Sequence, residues 1–423
     1  MSTSEIFIDD NEIFELIRDI PHDTSIIYGQ EDEEFGVSPY ISFYVFHKND
    51  EIEDIAHKII DIYEEFENNV IDKNFKRRYR DTGTWKDATK WQPTRQQLIN
   101  EMYESYKKYS VYYIAATTSV APTQSARWAF CAQISDRNTS RYTTVKMNFD
   151  DTWYRKNKEL WYNFVQKCQL KLKPFQAYSG YEIGNTTDFN VVSPEFETVE
   201  RIFSDYFYGL DIDHPNMGHS HNDPDDFIYL PSLAAGIRTP TWCFLLSAYW
   251  MEKLGLTEQQ IRAKLNDSRI TISRIPSADK NLPDSLWIQL GELSLYPVEQ
   301  GVPPLLVMAN ELIKPIRCNH LKLTTTDAWD DDPNPRFDIE SSPQWLARFD
   351  SDSTWPEGKR VNLPDNPLPQ TRLTVKAGER CPQSGCWISV SEENSRRYFN
   401  QGDIFPYINP DNDELYWQFD GKR

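Results

Sequence analysis

Long apolar runs are missing from this chain of 423 residues. Its most apolar windows, Trp242 to Met251 and Pro304 to Ala309, fall far short of the roughly 20 residues a membrane-crossing helix needs, which sets a membrane role aside. Glycine is scarce too, at 16 residues. No Gly-rich phosphate loop, no Gly-x-Ser-x-Gly elbow and no kinase-like set of motifs is present, so the usual marks of nucleotide-driven and serine-hydrolase chemistry are absent. Basic charge is in deficit: 45 Lys and Arg stand against 65 Asp and Glu, a formal charge of −20. That balance disfavours nonspecific attraction to nucleic acid or anionic lipid and would draw in a cationic partner, although acidity also simply keeps many proteins dispersed. Cysteines are few and scattered, at Cys131, Cys168, Cys243, Cys318, Cys381 and Cys386, unlike a secreted disulfide framework, and reduced thiols are expected. Met1 to Asp10 is polar and acidic, without the positive flank and apolar stretch of an export signal, so the expected location is the cytoplasm.

What the chain does have is apolar and aromatic content, 39% and 14%, enough for a substantial core. Ile41 to Phe46 reads as a strand, and Ile55, Ile59, Ile60, Ile62, Tyr63 and Phe66 recur at helical spacing after it. A second helix is expected beyond Pro93, capped by Thr94, with Leu98, Ile99, Met102, Tyr103 and Tyr106 on its apolar side. Strands are expected at Val111 to Thr117, Arg127 to Ile134 and Tyr142 to Asn148. The middle repeats this vocabulary, with a helix near Trp153 to Cys168, a strand near Phe175 to Ile183 and a helix at Glu195 to Phe207. The pattern predicts an α+β fold of antiparallel sheets flanked by helices, with two similar halves as one reading of the repeated order. Residues 1–150 and 151–323 are the two α+β halves in that division. Residues 324–372 turn to Pro and Asp and read as an acidic linker, while 373–423 form a small β-rich module with aromatic anchors.

Three clusters invite chemistry. His214, His219 and His221 lie close together with Asp211, Asp213 and Asp225 near them. A zinc site is one reading, yet the helical His-Glu-x-x-His spacing is absent and the Gly, Pro, Asn and Asp content also describes an exposed loop. Cys381-Pro-Gln-Ser-Gly-Cys386 provides a single thiol pair, two ligands short of a structural zinc, and reads better as a tight turn feeding Trp387 inward. Lys73, Lys76, Arg77, Arg78 and Arg80, interleaved with Phe75 and Tyr79, resemble a nucleic-acid footprint, but on so acidic a chain a solvated helix end or loop paired with carboxylates is expected. No metal, cofactor or catalytic residue is assigned.

Several pieces recur in order over roughly a hundred residues: Tyr208-Gly209-Leu210-Asp211-Ile212, then Gly236-Ile237-Arg238-Thr239-Pro240-Thr241-Trp242, then Leu245 through Gly255. Ile288 to Leu295 with Gly291, and Leu312-Ile313-Lys314-Pro315-Ile316-Arg317, complete the set. Together they resemble the immunity proteins of type VI secretion systems, in the family named for immunity to a VRR-NUC-type nuclease effector. Cys243-Phe244 and the turn from Pro297 to Gly301 depart from the pattern. The tail, with Ala377-Gly378-Glu379, Cys381-Pro382, Ser384-Gly385, Trp387, Arg396-Arg397-Tyr398-Phe399, Gly402, Pro406 and Trp417, is similar to an add-on module of immunity proteins.

The resemblance implies an antitoxin, not an enzyme, that occludes one cognate type VI effector, a nuclease or Rhs-type toxin domain, without contacting nucleic acid or membrane. Electrostatic steering would speed such an encounter and aromatic anchors would slow release. The acidic clusters Glu31, Asp32, Glu33 and Glu34, then Asp223, Asp225 and Asp226, then Asp330, Asp331 and Asp332, are the candidate toxin-facing residues. Two other classes stay open: a zinc-dependent hydrolase using His214, His219 and His221, and an adaptor within the secretion apparatus.

Overall fold

Period-two alternation in one 14-residue strand decides how the molecule is layered. In the computed structural model, residues 25–421 are described except 29–32, 48–50, 72–74, 81–85, 122–123, 126, 138–139, 185–193, 215–219, 223–228, 232, 278–281, 322, 324–334, 362–373, 390–395 and 408–415. The chain divides into two units, residues 1–361 and 362–423.

In the first unit, β1 (Ser25–Tyr28) pairs with the long β2 (Glu33–Phe46), and helix α1 (Ile52–Glu65) follows, running into a π-turn at Phe66–Val70. Then come β3 (Arg77–Arg80), β4 (Lys86–Asp87), α2 (Arg95–Tyr109), β5 (Val111–Thr117), β6 (Ala129–Arg137) and β7 (Ser140–Asn148). Of the basic cluster, Arg77, Arg78 and Arg80 therefore sit on a strand rather than a helix end or loop, Lys76 just before it and Lys73 outside the described residues; Arg78 donates to the Tyr63 hydroxyl at 2.6 Å and pairs with Glu67. Thr94 caps α2 as expected, in a reciprocal box with Gln97, and Leu98, Ile99 and Met102 are buried. The aromatic helix of the middle region is two helices, α3 (Asp151–Lys156) and α4 (Lys158–Leu172), parted at Asn157.

β8 (Gln176–Gly184) and α5 (Pro194–Ser204) are followed by the short pair β9 (Ser220–Asn222) and β10 (Tyr229–Pro231). Next are β11 (Cys243–Leu246), α6 (Ala248–Leu254), α7 (Glu258–Lys264), β12 (Ile270–Ile275), β13 (Ser285–Leu290), α8 (Pro304–Ile313) and α9 (Ser341–Leu346). Eleven of the described strands form one sheet in the order β12-β13-β11-β8-β2-β7-β6-β5-β3-β4, with β1 added on β2, and every pairing in it is antiparallel. The fold is α+β.

Along β2, Ile41, Phe43 and Val45 point into a core shared with α1, α2, α3 and α4, while Tyr40 and Tyr44 point into a second core on the opposite face. That alternation is the strand's own geometry, and both faces are covered because both carry bulky side chains. Phe66 sits at the centre of the first core, with the rings of Phe75, Trp128, Phe130, Phe149 and Phe164 at centroid distances of 5.5–6.2 Å.

Residues 335–361, expected as part of the linker, instead belong to this unit. Trp345, Leu346, Phe349 and Trp355 are buried in the second core, and Asp350 takes two hydrogen bonds from Arg317 at 2.8 and 2.9 Å. Four bulky apolar side chains within 11 residues outweigh the Pro and Asp content that gives the segment its draped look.

The second unit has its own four-stranded sheet, β14 (Thr374–Lys376), β15 (Gly385–Ser389), β16 (Arg397–Phe399) and β17 (Tyr416–Gly421), in the order β14-β17-β15-β16. Trp387, Phe399, Phe405 and Trp417 make its core, and Cys381 and Cys386 are buried free thiols.

Candidate functional site

The chemistry-bearing side chains converge on the second face of the large sheet. Register places Ser42 of β2 between Lys146 of β7 and Tyr178 of β8, and Tyr40 opposite Asn148, so their side chains share that face; Tyr44 and Glu182 lie on it by the same alternation. Tyr, Ser, Lys, Asn and Glu at these positions leave a polar floor inside an otherwise apolar protein.

Two loop segments lie across this floor. The first runs through Tyr208 to His214: the Asp211 amide donates to the Tyr181 carbonyl at 2.7 Å and the Gly209 amide to the Leu295 carbonyl at 2.7 Å. A Cβ at Gly209 would stand 2.2 Å from the Ser294 carbonyl oxygen, so only glycine admits that approach. The second runs through Leu233 to Trp242 and is held by Gln176, whose amide donates to the Leu233 carbonyl at 2.7 Å and the Gly236 carbonyl at 3.1 Å.

Arg238 joins the two. Its guanidinium lies 2.6 Å from Asp211 and 2.7 Å from Asp213, 1% exposed, with the Tyr178 ring 4.7 Å beneath it. The Tyr40 hydroxyl donates to Asp211, and those of Ser42 and Tyr44 donate to Asp213. Lys146 donates to the Asp213 carbonyl at 2.5 Å and to Glu182 at 2.6 Å, and Asn148 donates to the other Glu182 oxygen at 2.7 Å. Beside this layer, His214 and Glu200 meet at 2.7 Å, both buried.

Burial opposes the charge on Asp213, but Arg238 and then Lys146 outweigh it and hold the carboxyl well below its usual range. Burial likewise opposes the charge on Arg238, and Asp211 and Asp213 reverse that, leaving it a permanent cation. Glu182 behaves differently: burial raises it to about 7, with Lys146 offsetting only part. Glu200 is also raised by burial against the pull of His214, whose own desolvation is overcome by Glu200 so that the imidazole holds its proton above the ordinary 6.5.

Of the three histidines of the zinc reading, only His214 has a described side chain. His214 turns its Nε2 to Glu200, His219 lies outside the described residues, and His221 is in β9 with its side chain outside them. Among the described residues no group of three or more His, Cys, Asp or Glu could hold a metal ion. Of the acidic candidates, Glu31, Asp32, Asp223, Asp225, Asp226, Asp330, Asp331 and Asp332 lie outside the described residues. Of Glu33 only the backbone, in β2, is described, and Glu34 is half-buried beside it. Asp211 and Asp213, which the zinc reading takes as neighbours of histidines, are the partners of Arg238.

A family model described as type VI immunity for VRR-NUC matches residues 58–349, more than half of the chain. The chain belongs to that immunity family. A solved Pseudomonas aeruginosa type VI secretion protein, PA0821, shares the fold at a TM-score of 0.60 and 17% identity, over 85% of this chain and 99% of that one. No curated relative matches. Two of the segments that carry the family resemblance, Tyr208–Ile212 and Gly236–Trp242, close the ionic layer, and Arg317 of another pairs with Asp350. No described helix is long and apolar enough to cross a membrane.

Proposed function

We propose that this protein neutralises a cognate type VI effector of the VRR-NUC nuclease kind by binding and occluding it in the cytoplasm, one to one and without catalysis. The observation that carries the reading is the family match combined with where the family motif sits. Asp211, Asp213 and Arg238 are at most 1% exposed and are ion-paired with one another, so they hold a scaffold and have no route to a substrate. Recognition then belongs to the surface, where a net charge of −20 favours a cationic nuclease face. Phe46 and Tyr249, 42% and 36% exposed, flank Phe175 with ring centroids at 4.5 and 5.0 Å, and this aromatic row is a candidate anchor for the effector.

We also assign residues 373–423 to an added module. The whole of the Pseudomonas neighbour is accommodated by 85% of this chain, which leaves a remainder of about the size of the second unit. The test is co-expression of the cognate effector with this protein: growth is rescued without export of either, and an inactivated effector is retained on the immobilised protein. Protection that needs periplasmic targeting overturns the location, and failure to retain the effector overturns occlusion.

A further inference from the structure

We propose that β12, the outer strand of the large sheet, is where the effector adds an extended segment bearing acidic side chains, as a further strand. This rests on the immunity reading and names the surface and the partner chemistry that serve it. Among the described residues β12 pairs with β13 and with nothing beyond it. Hydrogen bonding fixes which of its backbone groups face outward. The Leu290 amide turns away from β12 to the Trp242 carbonyl at 2.8 Å, and the Gly291 amide turns toward the β12 side, to the Arg269 carbonyl at 3.2 Å. By alternation Thr271 and Ser273, opposite Gln289 and Trp287, direct their backbone groups to β13, whereas those of Ile272 and Arg274 point away from the sheet. The neighbouring helix agrees with this: Arg262 of α7 donates to the Ile272 carbonyl at 3.1 Å, from outside the ladder. The Ile272 and Arg274 amides are then the outward donors of the edge.

Side chains suit an added strand as well. Ile270 and Ile272 are half-buried against the second core, while Thr271, Ser273 and Arg274 are exposed. An extended segment with alternating side chains would continue the apolar face on one side and meet a polar one on the other.

Charge selects the occupant. Residues 258–275 carry Arg262, Lys264, Arg269 and Arg274 against Glu258 and Asp267, an excess of basic charge within a chain of net charge −20. Both carboxylates are engaged, Glu258 by Arg262 and Arg274 at 2.8 Å each and Asp267 by Arg269 at 2.7 Å. Asp284, just before β13, also acts on Arg274, but it accepts from the Ser277 amide at 3.1 Å, and Lys173, which donates to the Pro276 carbonyl, balances it. The Arg274 side chain keeps 64% of its surface exposed. A second copy of β12 would bring two basic clusters together, whereas an acidic strand gains from Arg274 and Arg262. The acidic remainder of the chain is left for the effector's cationic face.

The experiment measures the affinity of an inactivated VRR-NUC effector for the natural chain and for Ile272→Pro, Ile272→Ala and Arg274→Glu. Proline removes an outward amide that β13 does not use, which an edge strand tolerates, and alanine controls for the lost side chain. Binding is expected to weaken on the order of tenfold in Ile272→Pro relative to Ile272→Ala, and by a similar factor in Arg274→Glu. Equal affinity of the proline and alanine chains overturns strand addition; undiminished affinity of Arg274→Glu overturns the acidic occupant. Should Ile272→Pro fail to fold, amide hydrogen exchange of the natural chain decides. The Ile272 and Arg274 amides exchange rapidly in the chain alone and slowly in the complex; exchange that the effector leaves unaltered overturns the proposal, as does protection in a dimer of the chain alone. A natural chain that binds no effector refutes the immunity reading and this inference with it, whereas natural and variant chains that bind equally refute the inference alone.

Discussion

The two faces of the large sheet use opposite means to reach the same density. On one face Phe66, Trp128, Phe149, Trp153 and Trp161 pack as rings against rings under four helices. On the other, hydroxyls, carboxylates and a guanidinium fill the space between β2, β8 and the motif segments. Apolar packing is tolerant of shape changes, since neighbouring side chains can shift to refill space. An ionic layer is not, because each member is another's only compensation for lost water. Two of the segments that carry the family resemblance, Tyr208–Ile212 and Gly236–Trp242, supply the Asp211 carboxylate and the Arg238 guanidinium of the ionic face.

The sharpest way to break this contrast is Arg238→Met. It strands Asp211 and Asp213 in the interior, and thermal or urea unfolding is expected to show a loss of about 3–5 kcal/mol. Phe66→Leu, at the centre of the opposite core, costs less than about 1.5 kcal/mol. Equal losses would dissolve the distinction between the faces.

Gly209→Ala comes next, at about 1–3 kcal/mol by the same assay, because the added carbon meets the Ser294 carbonyl oxygen at 2.2 Å and the backbone must move. Asp213→Asn sharpens the comparison through pH. Its carboxyl is held below the ordinary 3.8, so the stability it contributes is present above that value and disappears as pH falls through the depressed folded value. The stability lost in the D213N chain is therefore present at neutral pH and shrinks only in strong acid. Smallest in effect on stability are His219 and His221: their joint replacement by Ala leaves fold and protection nearly intact, and a stoichiometric metal lost with protection in that variant would restore the hydrolase reading.

Much of the architecture is legible in the order of the residues. Val111–Thr117 is a strand over the range its alternation predicts, and Thr94 announces its helix through the Gln97 box. The ionic layer is only half visible there. Tyr40-x-Ser42-x-Tyr44 alternating with Ile41, Phe43 and Val45 marks a strand with a polar side. Nothing local says that Arg238 closes on Asp211 and Asp213, since that contact spans 27 residues and depends on two glycine-dependent close approaches. Proximity in sequence points Asp211 and Asp213 toward histidines instead. The linker reading of 324–372 fails over 335–361 for a related reason: composition averages over a window, whereas Trp345, Phe349 and Trp355 act one side chain at a time.

The central claim is that protection is stoichiometric occlusion by a surface held on a structural motif. Titrating the purified protein into a fixed amount of cognate effector, with nuclease activity as readout, tests it most directly. Activity is expected to fall linearly to zero at one equivalent. Complete loss of activity at a small fraction of an equivalent, continuing with time, would mean catalysis and would contradict it.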